Sequence, residues 1–101
     1  MPSDPLSQKE IEDRLRELPG WAFEDDRIER TYRVDSHRAA SALVSHICVV
    51  QDELNHHSEL TLGYNTVRLS VNSHDAGGVV TEKDFALAER VETLAPAHGA
   101  A

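Results

Sequence analysis

Cysteine is nearly missing from this chain: Cys48 is the single one in 101 residues, so no intramolecular disulfide framework can exist. That scarcity predicts a reducing, cytoplasmic setting, and the apolar segment around Cys48 predicts that its thiol packs as a small hydrophobe. Basic clusters are absent too. With 18 acidic against 10 basic side chains, a formal charge of -8, and no Lys/Arg patch to neutralise a run of phosphates, nucleic acid is excluded as an expected direct partner. No apolar run approaches the length of a bilayer span, and the opening Met-Pro-Ser-Asp-Pro lacks the basic and apolar blocks of a signal peptide, so no membrane partner and no export are expected. Nor is there an internal repeat. The expectation is one domain over residues 1–101, with 6–95 as its ordered core and 96–101 as a frayed tail.

What the chain does have is histidine, six in all, of which three fall close together: the adjacent His56-His57 and, further on, His74. Imidazole is the side chain that both donates and accepts protons near neutrality, so the concentration points to acid/base chemistry or to metal. His37, His46 and His98 are read as exposed residues without a role.

Periodicity places the histidines. Ser7-Gln8-Lys9-Glu10 has the form of a capping box, and Ile11, Leu15 and Leu18 give the helix that follows one apolar stripe, ended by Pro19-Gly20. Trp21 and Phe23, the acidic turn Glu24-Asp25-Asp26, and then Ile28, Tyr32 and Val34 on one parity predict a β-hairpin. From Ser36 to about Leu54, Ala40, Leu43, Ile47, Val50 and Leu54 recur at intervals of three and four, the pattern of a long central helix, with Val44 and Cys48 broadening its buried face and Asn55 as its left-handed C-terminal residue. A second hairpin follows, with Leu60, Leu62 and Tyr64 on one strand, a turn near Asn65, and Val67, Leu69 and Val71 on the other. Thr81-Glu82-Lys83-Asp84 opens a third helix, which turns Phe85, Ala88, Val91 and Leu94 inward. The order α-β-β-α-β-β-α predicts an α+β fold: a four-stranded antiparallel sheet with three helices packed on one face.

This reading leaves His56 and His57 at a helix exit and His74 where the last strand stops, before Asp75-Ala76-Gly77-Gly78. Consecutive residues near a helix end point about 100° apart, so the two neighbours are expected to take distinct roles. Asp52, one helical turn before His56, is expected to orient that imidazole. Asp84 is expected as a capping-box acid and Tyr64 as a packing residue.

Asp52-x-x-x-His56-His57-Ser58, then Tyr64, His74, Gly77-Gly78 and Thr81-Glu82-Lys83-Asp84-Phe85, resembles the signature of the pterin-4a-carbinolamine dehydratases, and the likeness runs through nearly the whole chain. It implies dehydration of 4a-hydroxytetrahydrobiopterin, the product left by aromatic amino acid hydroxylases, to a quinonoid dihydropterin by histidine acid/base chemistry, with no cofactor. It further implies His56 and His74 as the proton-transfer pair and His57 as chiefly substrate-binding, with Asn55, Ser73 and Asp75 lining the pterin site and Asp52 and Asp84 supporting it. Homodimers or homotetramers and a hydroxylase partner are implied as well. Four departures stand out: Asp52 for the family's usual glutamate, Ser58 for its proline, Ser73 for a frequent threonine, and one extra residue between His74 and Asp84. Loss of the proline is expected to free the backbone after His57, and the extra residue to enlarge the glycine turn.

Two other readings compete. One is a metal site built from His56, His57, His74 and a carboxylate, which adjacent histidines disfavour because zinc-binding helices set their ligands three or four apart. The other is a non-catalytic dimerisation or assembly module, a use known among relatives of this family; a pure scaffold has no physical need for three histidines together.

Overall fold

The computed structural model describes residues 4–101. Its elements are α1 (Gln8–Leu15), β1 (Ala22–Glu24), β2 (Arg27–Arg33), α2 (His37–Leu54), β3 (Glu59–Leu62), β4 (Thr66–Val71) and α3 (Glu82–Leu94), with 3₁₀ turns at His74–Ala76 and Ala95–His98. The strands form one antiparallel sheet in the order β1-β2-β4-β3. Its register explains why all three helices share a face: Ile28 pairs with Val71, Arg30 with Leu69 and Tyr32 with Val67, so the apolar parity of both central strands points one way. There those residues meet Ile11, Leu43, Ile47, Phe85, Ala88 and Val91, all buried. The opposite parity, Arg27, Glu29, Thr31 and Arg68, faces solvent, and the Arg27 guanidinium lies over Ser70 there, Nε to Oγ at 2.7 Å and Nη2 to the carbonyl at 2.8 Å. The chain is thus an α+β fold, as its periodicity predicts.

Local chemistry fixes the ends of the elements. Ser7 and Glu10 complete the capping box of α1, but the helix proper stops at Leu15 and the chain descends through tighter turns, Glu17 N–H to Arg14 and Leu18 N–H to Leu15, before Pro19. Gly20 then has φ 97°, and a Cβ there would sit 1.9 Å from Arg30 Nη1, which donates to the Pro19 carbonyl at 2.7 Å, so only glycine fits. Asp25 and Asp26, both at positive φ, make the two-residue hairpin turn between β1 and β2. Under the sheet end, the Glu92 carboxylate accepts from Trp21 Nε1 at 2.8 Å and Tyr32 Oη at 2.5 Å, joining α3 to the first hairpin.

Two expectations fail. Cys48 is exposed: Leu43, Ile47 and Val50 take the inward face of α2, so the buried stripe is narrower than its sequence suggests and Cys48 and Val49 fall outside it. Tyr64 is 77% exposed, because β3 ends at Leu62 and the tyrosine belongs to the turn, stacked near His37 rather than in the core. The tail expected to fray carries backbone pairing of its own. Ala95 is buried, Gly99 and Ala100 close the 3₁₀ turn with bonds to Pro96 and Ala95, and Ala101 pairs with Arg33 through two backbone bonds of 2.9 and 3.0 Å.

Candidate active site

Asn55 closes α2 with φ 50° and ψ 44°, and its backbone turns the chain at once into β3. Because Glu59 pairs with Ser70, the residues just before β3 and just after β4 lie side by side at the open end of that hairpin. α3 starts beside them. The three pieces enclose a cleft of about 330 Å³ lined by Asn55, His56, His57, Asn72, His74, Asp75 and Lys83. All three histidines singled out in the sequence therefore meet at one site.

His56 is the buried member, and its carboxylate is not the one expected. Nε2 lies 2.6 Å from Asp84 Oδ1, in a contact buried on both sides, whereas Asp52 Oδ1 lies 2.9 Å from His57 Nε2. The left-handed Asn55 explains the exchange: helical spacing ends there, so the i, i+4 geometry that would have placed Asp52 beside His56 does not extend to it. Asp84 is fully buried and does more than cap α3. Its Oδ2 accepts from the Thr81 backbone N–H at 2.8 Å and from Ser73 Oγ at 2.9 Å, and Ser73 Oγ in turn lies 2.6 Å from Thr81 Oγ1. Three donors thus converge on one carboxylate: with Oδ2 accepting from Thr81 and Ser73, Oδ1 accepts from Nε2–H of His56, the protonated nitrogen in the neutral imidazole. The ring's remaining nitrogen, Nδ1, has no protein partner among the described residues. Since none of their side-chain nitrogens or oxygens is both buried and unpartnered, Nδ1 opens on the cleft as an acceptor.

His57 and His74 stand in solvent at the rim of the cleft. The His57–Asp52 pair is loose, with side chains 56% and 80% exposed, so Asp52 orients its partner only weakly. His74 begins the 3₁₀ turn that follows β4, and Asp75, next to it, accepts from Lys83 Nζ at 2.7 Å across the cleft mouth. That ammonium holds the Asp75 carboxyl below its ordinary range. Ser73, expected to line the site, is instead fully buried behind it and bonds Asp84.

The departures from the family pattern also find their physical consequence. Ser58 does not loosen the backbone: its N–H donates to Gln51 Oε1 at 2.9 Å and its hydroxyl bonds the same oxygen, with Gln51 buried in α2. A proline would have no N–H to give, so the serine holds by hydrogen bonds what the ring would hold by its fixed φ. The longer connection is absorbed by Gly77 and Gly78, at φ 88° and 82°, inside a loop closed by Ala76 and Gly78 N–H groups on the Ser73 carbonyl.

Asn72 and Lys83 line the cleft and were not singled out as candidate site residues; Lys83 lay in plain view inside the capping box, and Asn72 carried the signal of a polar residue at a strand exit. Among the described residues no three of histidine, cysteine, aspartate or glutamate are placed to share one metal ion.

Comparison with known proteins bears on the family and the fold. The family described as pterin 4 alpha carbinolamine dehydratase matches residues 4–94. A protein of Streptomyces avermitilis named for that enzyme is 68% identical over 100 residues, covering 99% of each chain. Among solved structures, a transcriptional coactivator/pterin dehydratase from Brucella melitensis superimposes with a TM-score of 0.84 at 26% identity, over 90% of this chain and 98% of its own. A pterin dehydratase-like protein identified as a RuBisCO assembly factor of the alpha-carboxysome shares the fold, with a TM-score of 0.59 at 17% identity over 73% and 84% of the two chains. With residues 4–94 matched by the family model and a relative 68% identical over 99% of its length, the chain belongs to the pterin-4a-carbinolamine dehydratase family.

Proposed function

We propose that the protein dehydrates 4a-hydroxytetrahydrobiopterin to quinonoid dihydropterin, recycling the pterin cofactor of aromatic amino acid hydroxylases. The observation that carries this reading is the cleft in which a buried, carboxylate-anchored His56 faces open space beside His57 and His74. The reaction asks for little else. An acid protonates the departing 4a-oxygen, the C4a–O bond breaks to release water, and a base takes the proton from ring nitrogen N5, whose electron pair forms the N5=C4a bond. The proton lost by one group is matched by the one gained at the other, so two imidazoles suffice and neither metal nor redox cofactor is required.

In this assignment His56 and His74 are the proton-transfer pair, and Asp84 is a positioning residue that fixes the His56 tautomer with Nδ1 as acceptor. His57, Asn55 and Asp75 bind the pterin, with Asp52 bearing lightly on His57. The protein works in the cytoplasm as a homodimer or homotetramer beside a hydroxylase. The test is direct: purified protein is mixed with 4a-hydroxytetrahydrobiopterin generated by a hydroxylase, and the ultraviolet decay is followed against the spontaneous rate. Acceleration that scales with protein concentration supports the reading. A rate equal to the blank, with no binding of dihydrobiopterin, leaves the assembly-module reading in its place.

A further inference from the structure

Away from the cleft, two histidines that the dehydratase reading does not use stand in direct contact. His46 projects from α2 and His98 ends the 3₁₀ turn Ala95–His98, and His46 Nδ1 lies 2.8 Å from His98 Nε2, the rings 5.1 Å apart and tilted by 59°. Neither ring has another hydrogen-bond partner among the described residues. Both are held from behind: His46 by a helix whose flanking Leu43, Ile47 and Val50 are buried, and His98 by the buried Ala95 and the Ala101–Arg33 backbone pair. The two nitrogens, far apart in sequence, are therefore brought together from two anchored backbone segments.

Between two neutral imidazoles in this contact lies one N–H proton; a dication takes its place when that ring carries its proton on the other nitrogen, leaving both facing nitrogens as lone-pair donors. With metal–nitrogen bonds of about 2.0–2.1 Å, ligands at a tetrahedral angle lie about 3.3 Å apart, whereas ligands at a right angle lie about 2.9 Å apart. The observed 2.8 Å lies close to the right-angle bite of square-planar or octahedral ions. Imidazole suits copper and nickel, copper stands at the top of the divalent affinity order, and the formal charge of -8 draws cations toward the chain. We propose that His46 and His98 form a two-imidazole site for a square-planar or octahedral transition dication, Cu2+ ahead of Ni2+, which fastens the C-terminal 3₁₀ turn to α2. Water completes the coordination shell, so the site is a surface clip and separate from the chemistry of the cleft.

The experiment titrates Cu2+, and separately Ni2+ and Mg2+, into the intact protein by calorimetry and thermal melting, with His46→Ala, His98→Ala and His74→Ala alongside. Wild type is expected to bind one Cu2+ per chain with two nitrogen ligands by electron paramagnetic resonance, and its Tm to rise by roughly 11–22 °C at a hundredfold excess over Kd. Mg2+ should give no shift. In His46→Ala and His98→Ala, each compared with its own metal-free melt, Cu2+ affinity falls at least tenfold and the Tm rise disappears, while dehydration of 4a-hydroxytetrahydrobiopterin is unchanged. His74→Ala keeps wild-type Cu2+ binding. The proposal is overturned if wild type binds no Cu2+, if the two variants bind it as wild type does, or if His74→Ala abolishes binding and so puts the ion in the cleft.

Discussion

Replacing Asp84 by asparagine tests the dehydratase reading at its least accessible point. The substitution preserves shape, and the amide oxygen can still accept from Thr81 N–H and Ser73 Oγ, both within 2.9 Å of the present carboxylate. The amide NH2 must then face His56 Nε2, now 2.6 Å from a carboxylate oxygen. Two donors cannot face each other, so the imidazole is driven to the other tautomer, with the proton on Nδ1 and the lone pair on Nε2. The nitrogen that opens on the cleft changes from acceptor to donor and can no longer take a proton. Loss of a positioned acid/base group together with a wrong tautomer lowers kcat by about 10²–10⁴-fold. The stability cost is that of one charge-assisted hydrogen bond, about 2 kcal/mol, or roughly 8–16 °C in Tm for a domain of this size. Asp84→Ala is a poorer test, since it strands three buried donors and costs about 3–5 kcal/mol. Stopped-flow decay of 4a-hydroxytetrahydrobiopterin gives kcat, and nitrogen-15 NMR of the imidazole gives the tautomer, both well below the variant's Tm. A variant whose His56 has switched tautomer yet turns over within about threefold of wild type would refute the role given to Nδ1.

His56→Ala and His74→Ala should each lower kcat by on the order of 10²-fold with circular dichroism unchanged; wild-type rates in both would remove the proton-transfer pair. His57→Ala should raise KM more than it lowers kcat, because it holds ground state and transition state alike, and Asp52→Ala should move KM by about twofold at most, since that pair is solvent-exposed; equal losses confined to kcat would overturn the division between the two neighbours. Burial, aided by the Glu92 carboxylate, pushes the Tyr32 phenol well above its ordinary range. The folded state therefore keeps a proton that the unfolded state releases above about pH 10, so stability is full below that pH and falls as pH rises, by up to about 1.4 kcal/mol per unit. Urea melts from pH 9 to 11 should show that slope in wild type and a flatter one in Tyr32→Phe; identical slopes would remove Tyr32 as the cause.

The legible parts of the sequence were those set by short-range rules. The capping serines, the spacing of Leu43, Ile47 and Val50, and the left-handed tolerance of Asn55 all act within a turn or two, and each gave the right element. His56, His57 and His74 were legible as a group because three imidazoles so close in sequence point to acid/base chemistry or to metal. What escaped were partnerships made by tertiary approach: Asp84 with His56, Ser58 with Gln51, Ser73 behind the cleft rather than in it. Asp52 misled because helical spacing was carried past the residue that ends the helix. Cys48 and Tyr64 misled because apolar character alone does not say where a buried face or a strand stops.

The position of the cleft at the open end of the β3–β4 hairpin governs how activity returns on refolding. That hairpin needs only the short Gly63–Asn65 connection and forms on the microsecond scale, bringing the segments of His57 and His74 near each other early. The central seam, Ile28 against Val71 through Arg33 against Thr66, must close a loop containing all of α2, and α3 has then to dock for Asp84 to reach His56. Catalysis should therefore reappear with the slow, non-local phase and lag behind the hairpin, so turnover during refolding becomes a clock for α3 docking.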